Sequence, residues 1–178
     1  MKRAVLVNGV PASGKSVVAR LIASRRAWPL LSLDTIKEPF FEHIGVGDRA
    51  FNRKLGCASY QAIFDLIAAF PAGSITVVDA WFGFQPFEVL TRHLARAGIG
   101  YAMEIWCHAA PEIIAERYSA RVGARPPGHP GIEYLPELID LAGRAKPLGC
   151  FPCLAVDTAA PIDEGALFAW LEANAASR

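Results

Sequence analysis

Apolar residues in this chain come in short runs, and the runs alternate with stretches in which apolar positions recur every three or four residues. The short runs, bounded by glycine or polar breaks, predict strands over residues 4–8, 29–33, 75–79, 101–107 and 153–157. The stretches between them predict helices over residues 14–24, 34–44, 48–70, 86–97, 111–122, 135–145 and 163–175. Punctuation agrees with these bounds: "AGIG" stops the helix that ends at Ala97, Pro111 suits a first helical turn, and Asp163 suits an N-cap. Runs such as "ITVVDAW" are apolar on both faces of a strand, which only a sheet covered by helices on both sides can bury. Alternating strands and helices predict an α/β fold with a parallel sheet.

One stretch breaks the alternation. Residues 121–136, "RVGARPPGHPGIEYLP", gather four prolines and three glycines with two arginines between two predicted helices. A loop of that length and composition is expected to be functional or mobile. The 178 residues otherwise suit one domain with a lid near residues 118–135, without repeats or a linker.

The formal charge is +1, from 18 basic and 17 acidic residues, so no broad basic surface for duplex nucleic acid is expected. No apolar run is long enough to span a membrane, and the run after Met1-Lys2-Arg3 breaks at Asn8 and Gly9, too early for a secretion signal. A cytoplasmic location is expected. Cys150-Phe151-Pro152-Cys153 has no second cysteine pair to complete a zinc site and precedes a strand, so its thiols are expected to be buried or idle. Nothing in the sequence sets the oligomeric state.

Chemistry is concentrated at the first strand-helix junction. Gly9-Val10-Pro11-Ala12-Ser13-Gly14-Lys15-Ser16 fits G-x-x-x-x-G-K-[ST] in full, between a predicted strand and a predicted helix. Glycines at 9 and 14 let successive N–H groups turn towards phosphate oxygens, and the helix start adds its positive end. Gly9, Pro11, Ala12, Ser13, Gly14, Lys15, Ser16 and Val17 are therefore the candidate ATP-binding residues. Lys15 would reach the β- and γ-phosphates, and the Ser16 hydroxyl would ligate Mg²⁺. The cradle announces a nucleoside triphosphate and leaves the reaction open.

Three further features point to phosphoryl transfer. Asp34 ends the second predicted strand, the edge where α/β sheets bind ligands, and could accept a proton from a substrate hydroxyl. It could equally cap the following helix. Lys37, one turn on, could neutralise charge there or face solvent. Asp79 ends the third strand after an apolar run, the general form of a carboxylate that serves Mg²⁺ or lies against the acceptor. Beyond it, Trp81, Phe82, Phe84 and Phe87 would wall an acceptor pocket or pack the next helix, Trp81 being the favoured pocket member. Finally, Arg117, Arg121 and Arg125 recur every four residues into the proline-rich loop, where forked guanidinium groups suit phosphates and a closing lid would exclude water. Arg117 and Arg121 join Lys15 and Asp34 as catalytic candidates, and Arg121 and Arg125 as nucleotide contacts. His129 is the one histidine in that loop, expected to be structural.

"GVPASGKS", the strand-end "LD" with Lys37, "VVDAW" and the arginine-rich lid together resemble the small P-loop kinases related to gluconate kinase, chloramphenicol phosphotransferase, zeta-toxin-like kinases and polynucleotide kinase. The resemblance implies a P-loop NTPase fold with a five-stranded parallel sheet in the order 2-3-1-4-5, helices on both faces and a small lid. It further implies ATP and Mg²⁺ as cofactors and a hydroxyl as acceptor, with Asp34 as the proton-accepting aspartate. "DAWFGFQP", where acceptor identity would be read, matches none of these groups well. The expected partner is a small-molecule alcohol: a sugar, a sugar acid or an antibiotic. Two alternatives stay open. One is a nucleotide or polynucleotide-end kinase using Arg53, Lys54 and Tyr60 of "FNRKLGCASYQ"; the other is a non-catalytic ATP-binding regulatory module.

Overall fold

Strand β1, Lys2–Asn8, lies at the centre of the sheet in the computed structural model, which describes residues 1–175. Residues 4–7 are fully buried, and their side chains divide by the two-residue period of a strand. Ala4 and Leu6 pack with Ile63, Phe64 and Leu90 on one face; Val5 and Val7 pack with Val18, Ile22 and Leu171 on the other. The first face is covered by α3 (Arg49–Ala69) and α4 (Phe87–Arg96), the second by α1 (Lys15–Arg26) and α7 (Glu164–Ala175).

The remaining strands are β2 (Leu30–Ser32), β3 (Ile75–Asp79), β4 (Ile99–His108) and β5 (Cys153–Asp157). All pair in parallel in the order β2-β3-β1-β4-β5, as the resemblance implied. Helix α2 (Leu33–Ile44) follows β2 directly. Helices α5 (Pro111–Val122) and α6 (Leu135–Arg144) pack around Tyr118 and Leu138 and reach Val10 and Ala12 of the first loop. Among the described residues no helix is long and apolar enough to cross a membrane.

Differences from the expected bounds are small and have local causes. The strand expected over 29–33 keeps only Leu30–Ser32, because Leu33 already belongs to α2. Strand β4 outruns 101–107 at both ends: Gly98 turns with φ +69° and lets pairing to β1 begin at Ile99. Asp163 caps α7 as expected, its Oδ1 accepting the Ala166 N–H at 2.9 Å. The four cysteines are free, and burial pushes Cys107 up to about 12 and Cys153 up to about 11, so both stay thiols.

Asn8, the last residue of β1, organises the edge where the ligand cradle begins. Its Oδ1 accepts the Gly9 N–H at 2.8 Å and the Phe82 N–H at 3.1 Å, joining the loops after β1 and β3. Its Nδ2 donates to Glu104 Oε1 at 2.7 Å, and Glu104, fully buried on β4, also accepts the Leu148 N–H at 2.9 Å through Oε2. Nothing in the apolar pattern announces this pair, since Glu104 interrupts a strand that is otherwise buried and apolar.

Two outcomes are expected of this network. Asn8→Ala leaves two N–H groups without their acceptor and takes one donor from the Glu104 carboxylate, so urea denaturation should record a loss of about 3 kcal/mol. Burial raises the Glu104 carboxyl above its ordinary range, against the lowering effect of the Asn8 and Leu148 bonds. A raised carboxyl contributes stability that is full at low pH and is lost as pH rises through the folded value. Glu104→Gln, which does not titrate, should therefore gain stability relative to the unmutated protein between about pH 4 and pH 7. A constant difference across that range would show that Glu104 is not raised.

Candidate active site

The loop between β1 and α1 uses backbone shapes that most residues avoid. Gly9 lies at φ +152°, Ala12 at +68° and Gly14 at +79°. A Cβ on Gly9 would stand 2.3 Å from Ser13 Oγ and 2.5 Å from the Cys107 carbonyl oxygen, so no larger residue fits. Ser13 is fully buried, and its Oγ has no partner. From the side, Thr158 beyond β5 holds the loop: its Oγ1 lies 2.8 Å from the Ser13 carbonyl oxygen and 3.1 Å from that of His108.

Lys15 and Ser16 open α1 at the floor of a cavity of about 240 Å³, which Asp34, Lys37, Asp79 and Trp81 also line. Every one of the sequence-predicted acceptor-side residues thus meets the loop in one space. Asp79 is 4 % exposed; its Oδ2 accepts from Ser32 Oγ at 3.2 Å, and its Oδ1 is buried without a partner. Asp34 does not cap α2: Ser32 holds that position, and the Asp34 carboxylate points outward at 52 % side-chain exposure.

The three arginines part company. Arg117 Nη1 and Nη2 donate to Thr158 Oγ1 at 3.0 Å and to its carbonyl oxygen at 2.6 Å, which holds Arg117 beside a second hollow lined by Ala12, Gly14, Val17 and Pro161. Arg121 borders both spaces, half-buried, with its guanidinium 5.8 Å above the Tyr118 ring and its Nε unpartnered. Burial lowers its pKa, and Arg125 nearby adds to that. Arg125 Nη2 donates to Asp34 Oδ2 at 3.1 Å and meets His129 Nδ1 at 2.6 Å.

His129 completes the chain of contacts, with Nε2 2.9 Å from Glu38 Oε1. The proline-rich segment is thereby fastened to α2 at two points one turn apart, Asp34 and Glu38. Gly128, at φ +97°, lies so close to the Phe41 ring that a Cβ would fall 2.7 Å from it, and the Tyr118 hydroxyl donates to the Pro130 carbonyl at 2.6 Å. His129 is therefore the anchor of the segment. Its ring nitrogen and the carboxylate oxygens of Asp34 and Glu38 lie within 4.8 Å of one another, a group that could ligate a cation. The Arg125 guanidinium already bonds two members of that group, so a fixed positive charge occupies its middle.

Among the aromatics, Trp81 and Phe84 line the cavity, whereas Phe82 is core and Phe87 stands outside beside Phe151. Arg53 and Asn52 of α3 and Tyr134 also face the cavity. The sequence offers Arg53 only within a polynucleotide groove; Tyr60, the aromatic of that groove, is 1 % exposed in the core against Phe64 and Phe84. Ser32, Asn52 and Tyr134 carried no motif that could have flagged them.

Three buried polar atoms lack partners around one cradle: Ser13 Oγ, Asp79 Oδ1 and Arg121 Nε. A polyphosphate with a hydrated divalent cation supplies what each lacks, oxygen acceptors for the hydroxyl and the guanidinium and a positive charge for the carboxylate. The donor set fits magnesium nucleotide.

Comparison with known proteins agrees with this geometry. The family model described as an AAA domain matches residues 5–130. A Chloroflexus aurantiacus j-10-fl protein provisionally designated a kinase superposes with a TM-score of 0.82 at 27 % identity, over 97 % of this chain and 98 % of its own. A gluconokinase from Sinorhizobium meliloti 1021 gives 0.59 at 23 % identity, over 96 % and 93 %. Shikimate kinase from Bacteroides thetaiotaomicron gives 0.58 at 16 %, over 96 % and 94 %. The fold is that of small P-loop kinases. No curated protein matches the chain.

The His129 contacts set a pH dependence. Burial and the Arg125 charge lower its pKa below the ordinary 6.5, outweighing Asp34 and the Glu38 hydrogen bond, while Lys37 adds a small lowering effect. Neutral His129 accepts from Arg125 through Nδ1; a proton there would face another donor. A base with a depressed pKa contributes stability that is present at neutral pH and lost as pH falls through the folded value. The melting temperature should thus fall relative to His129→Gln as pH is lowered from 7 to 5. Parallel curves for the two proteins would remove His129 from the fastening of the segment.

Proposed function

The chain belongs to the AAA domain family, and we propose that it moves the γ-phosphoryl group of ATP to a hydroxyl of a small-molecule acceptor. The observation that carries this reading is a single cavity lined by the phosphate-loop residues Lys15 and Ser16, two carboxylates, Asp34 in the first turn of α2 and Asp79 at the end of β3, and two arginines, Arg121 and Arg125. A protein that merely binds nucleotide has no need of a second carboxylate facing outward beside the phosphates.

In this reading the N–H groups of Gly14, Lys15 and Ser16, at the start of α1, cradle the β- and γ-phosphates, and the Lys15 ammonium neutralises their charge. Ser16 and Asp79 would hold Mg²⁺, which would supply positive charge to the phosphate oxygens. The acceptor oxygen attacks the γ-phosphorus while the bond to the β–γ bridging oxygen breaks, and ADP leaves with that electron pair. Asp34 orients the hydroxyl and takes its proton. Arg121 stabilises the charge on the transferred group, and Arg125 passes from Asp34 to the phosphates as the 123–131 segment closes as a lid. Arg117 secures Thr158 against the loop on the side where the rest of the nucleotide lies. Water is excluded by the segment and by Trp81, so that the hydroxyl competes successfully as nucleophile.

Two substitutions test this. Lys15→Ala should abolish transfer while the fold survives, since the side chain reaches into the cavity rather than the core. Asp34→Asn keeps size and removes the basic lone pair, so steady-state transfer should fall by roughly 10²–10⁴-fold with ATP affinity, measured by calorimetry, unchanged within a few-fold. A variant that keeps its rate would deny Asp34 the proton; one that also loses ATP would move it to the metal.

A further inference from the structure

Beyond the phosphate end, the cavity opens into a second hollow of about 470 Å³ between α2, α3 and residues 128–137. Lys37, Asn52, Arg53 and Tyr134 line both spaces, so they form the passage between them. Charge is unevenly distributed there. Around the first cavity five cationic side chains, Lys15, Lys37, Arg53, Arg121 and Arg125, face two carboxylates, Asp34 and Asp79.

Three of these cations have a place in the kinase reading. Lys15 and Arg121 lie at the phosphate cradle, and Arg125 pairs with Asp34. In the outer hollow Arg49 is paired with Glu137 at 2.7 Å, and Glu133 accepts the Gly131 N–H at 2.9 Å. Lys37 and Arg53 remain. Neither has an ion-pair partner among the described residues. Both are nevertheless held in place. Arg53 Nη2 donates to the Phe84 carbonyl oxygen at 3.0 Å, a neutral acceptor that orients the guanidinium and leaves its charge uncompensated. Lys37 Nζ lies 4.8 Å from the centre of the Phe41 ring, half-buried, and burial lowers its pKa. Asn52 is occupied in fastening the turn at Gly47, with Nδ2 donating to its carbonyl at 3.1 Å. An arginine fixed by a backbone carbonyl beside a half-buried lysine makes a site for an anion, because each cation gains a counter-charge without having to be reordered.

We propose that the acceptor is a metabolite-sized hydroxy compound bearing an acid group, carboxylate or phosphate, with the acid bound by Arg53 and Lys37 and a hydroxyl presented to Asp34. The inference rests on the kinase reading above and narrows it. Trp81, Phe84 and Tyr134 supply ring faces for the carbon skeleton between the two polar ends. Neutral sugars would leave both cations unmatched, and cationic aminosugars would meet them as like charges.

The test uses the whole chain with ATP and Mg²⁺ on matched acceptors that differ only in the acid: D-gluconate against D-glucitol, D-glycerate against glycerol, and D-glucose 6-phosphate against D-glucose, with D-glucosamine as the cationic control. The acid members should be phosphorylated with kcat/KM at least about 10-fold above their neutral partners, and the gluconate and phosphate arms distinguish carboxylate from phosphate. Arg53→Met, which keeps the apolar stem, should raise KM for the acid members by roughly 10- to 100-fold, the range of a charged hydrogen bond, and leave KM for ATP unchanged. A second readout does not depend on turnover. With ADP and Mg²⁺ present, D-gluconate or D-glucose 6-phosphate should raise the melting temperature more than D-glucitol or D-glucose, and Arg53→Met should erase the difference. Equal or greater transfer to neutral or cationic acceptors, equal thermal shifts within a pair, or no shift with any acid overturns the inference and leaves the kinase reading standing. Acid-dependent shifts without transfer to any acceptor would instead remove the kinase reading and keep the anion site.

Discussion

A loop that offers its N–H groups to an anion cannot spend them on holding itself, and the rest of this structure answers that constraint. In the stretch from Gly9 to Ser16 the positive φ angles at Gly9, Ala12 and Gly14 leave few internal bonds, among them Ser13 N–H to the Val10 carbonyl at 3.1 Å. Support comes from outside. Asn8 and Glu104 grip the start of the loop from within the sheet, and Thr158 grips its far end from beyond β5. Both supports are buried and polar, which costs stability unless every group is paired, and pairing is what makes the cradle rigid before a ligand arrives. The central strand order follows from the same need: β1 must have neighbours on both sides for β3 and β4 to deliver Phe82 and Glu104 to Asn8.

Around that rigid centre the charged parts are held more loosely, and with opposite signs facing each other. Arg125 lies on Asp34 and His129 on Glu38, so the 123–131 segment and α2 are joined by bonds that water and phosphate can replace. Pairing Asp34 with an arginine holds its carboxylate in one position and covers one of its oxygens. A nucleotide phosphate is a stronger partner for a guanidinium than a half-exposed carboxylate, because it brings more charge and more acceptors. In the proposed reaction, nucleotide binding would draw Arg125 inward and uncover Asp34 in a single movement.

At the acceptor end the governing quantity is uncompensated charge. Exposed arginines such as Arg25, Arg49 and Arg96 are satisfied by glutamate or aspartate. Arg53, also exposed, is oriented by the Phe84 carbonyl instead, and that contact leaves it free to meet an anion in the proposed acceptor site.

Local chemistry carried much of this in the sequence itself. Alternation of apolar runs with helical periods placed all five strands and seven helices to within a few residues, because burial on two faces and on one face leave different periods. The full phosphate-loop motif with its flanking strand and helix located the cradle, and strand-end carboxylates at 34 and 79 fell on the ligand edge because every strand runs in the same direction. Tertiary structure decided what periodicity cannot encode. Glu104 gains its role only from Asn8 and Leu148, 96 and 44 residues away in the sequence. Arg117, Arg121 and Arg125 share one spacing in the sequence, yet one holds Thr158, one borders both cavities and one pairs with Asp34, since α5 ends between the second and third. Which cation lacks an ion-pair partner is a property of three-dimensional neighbours alone, and no local period in the sequence records it.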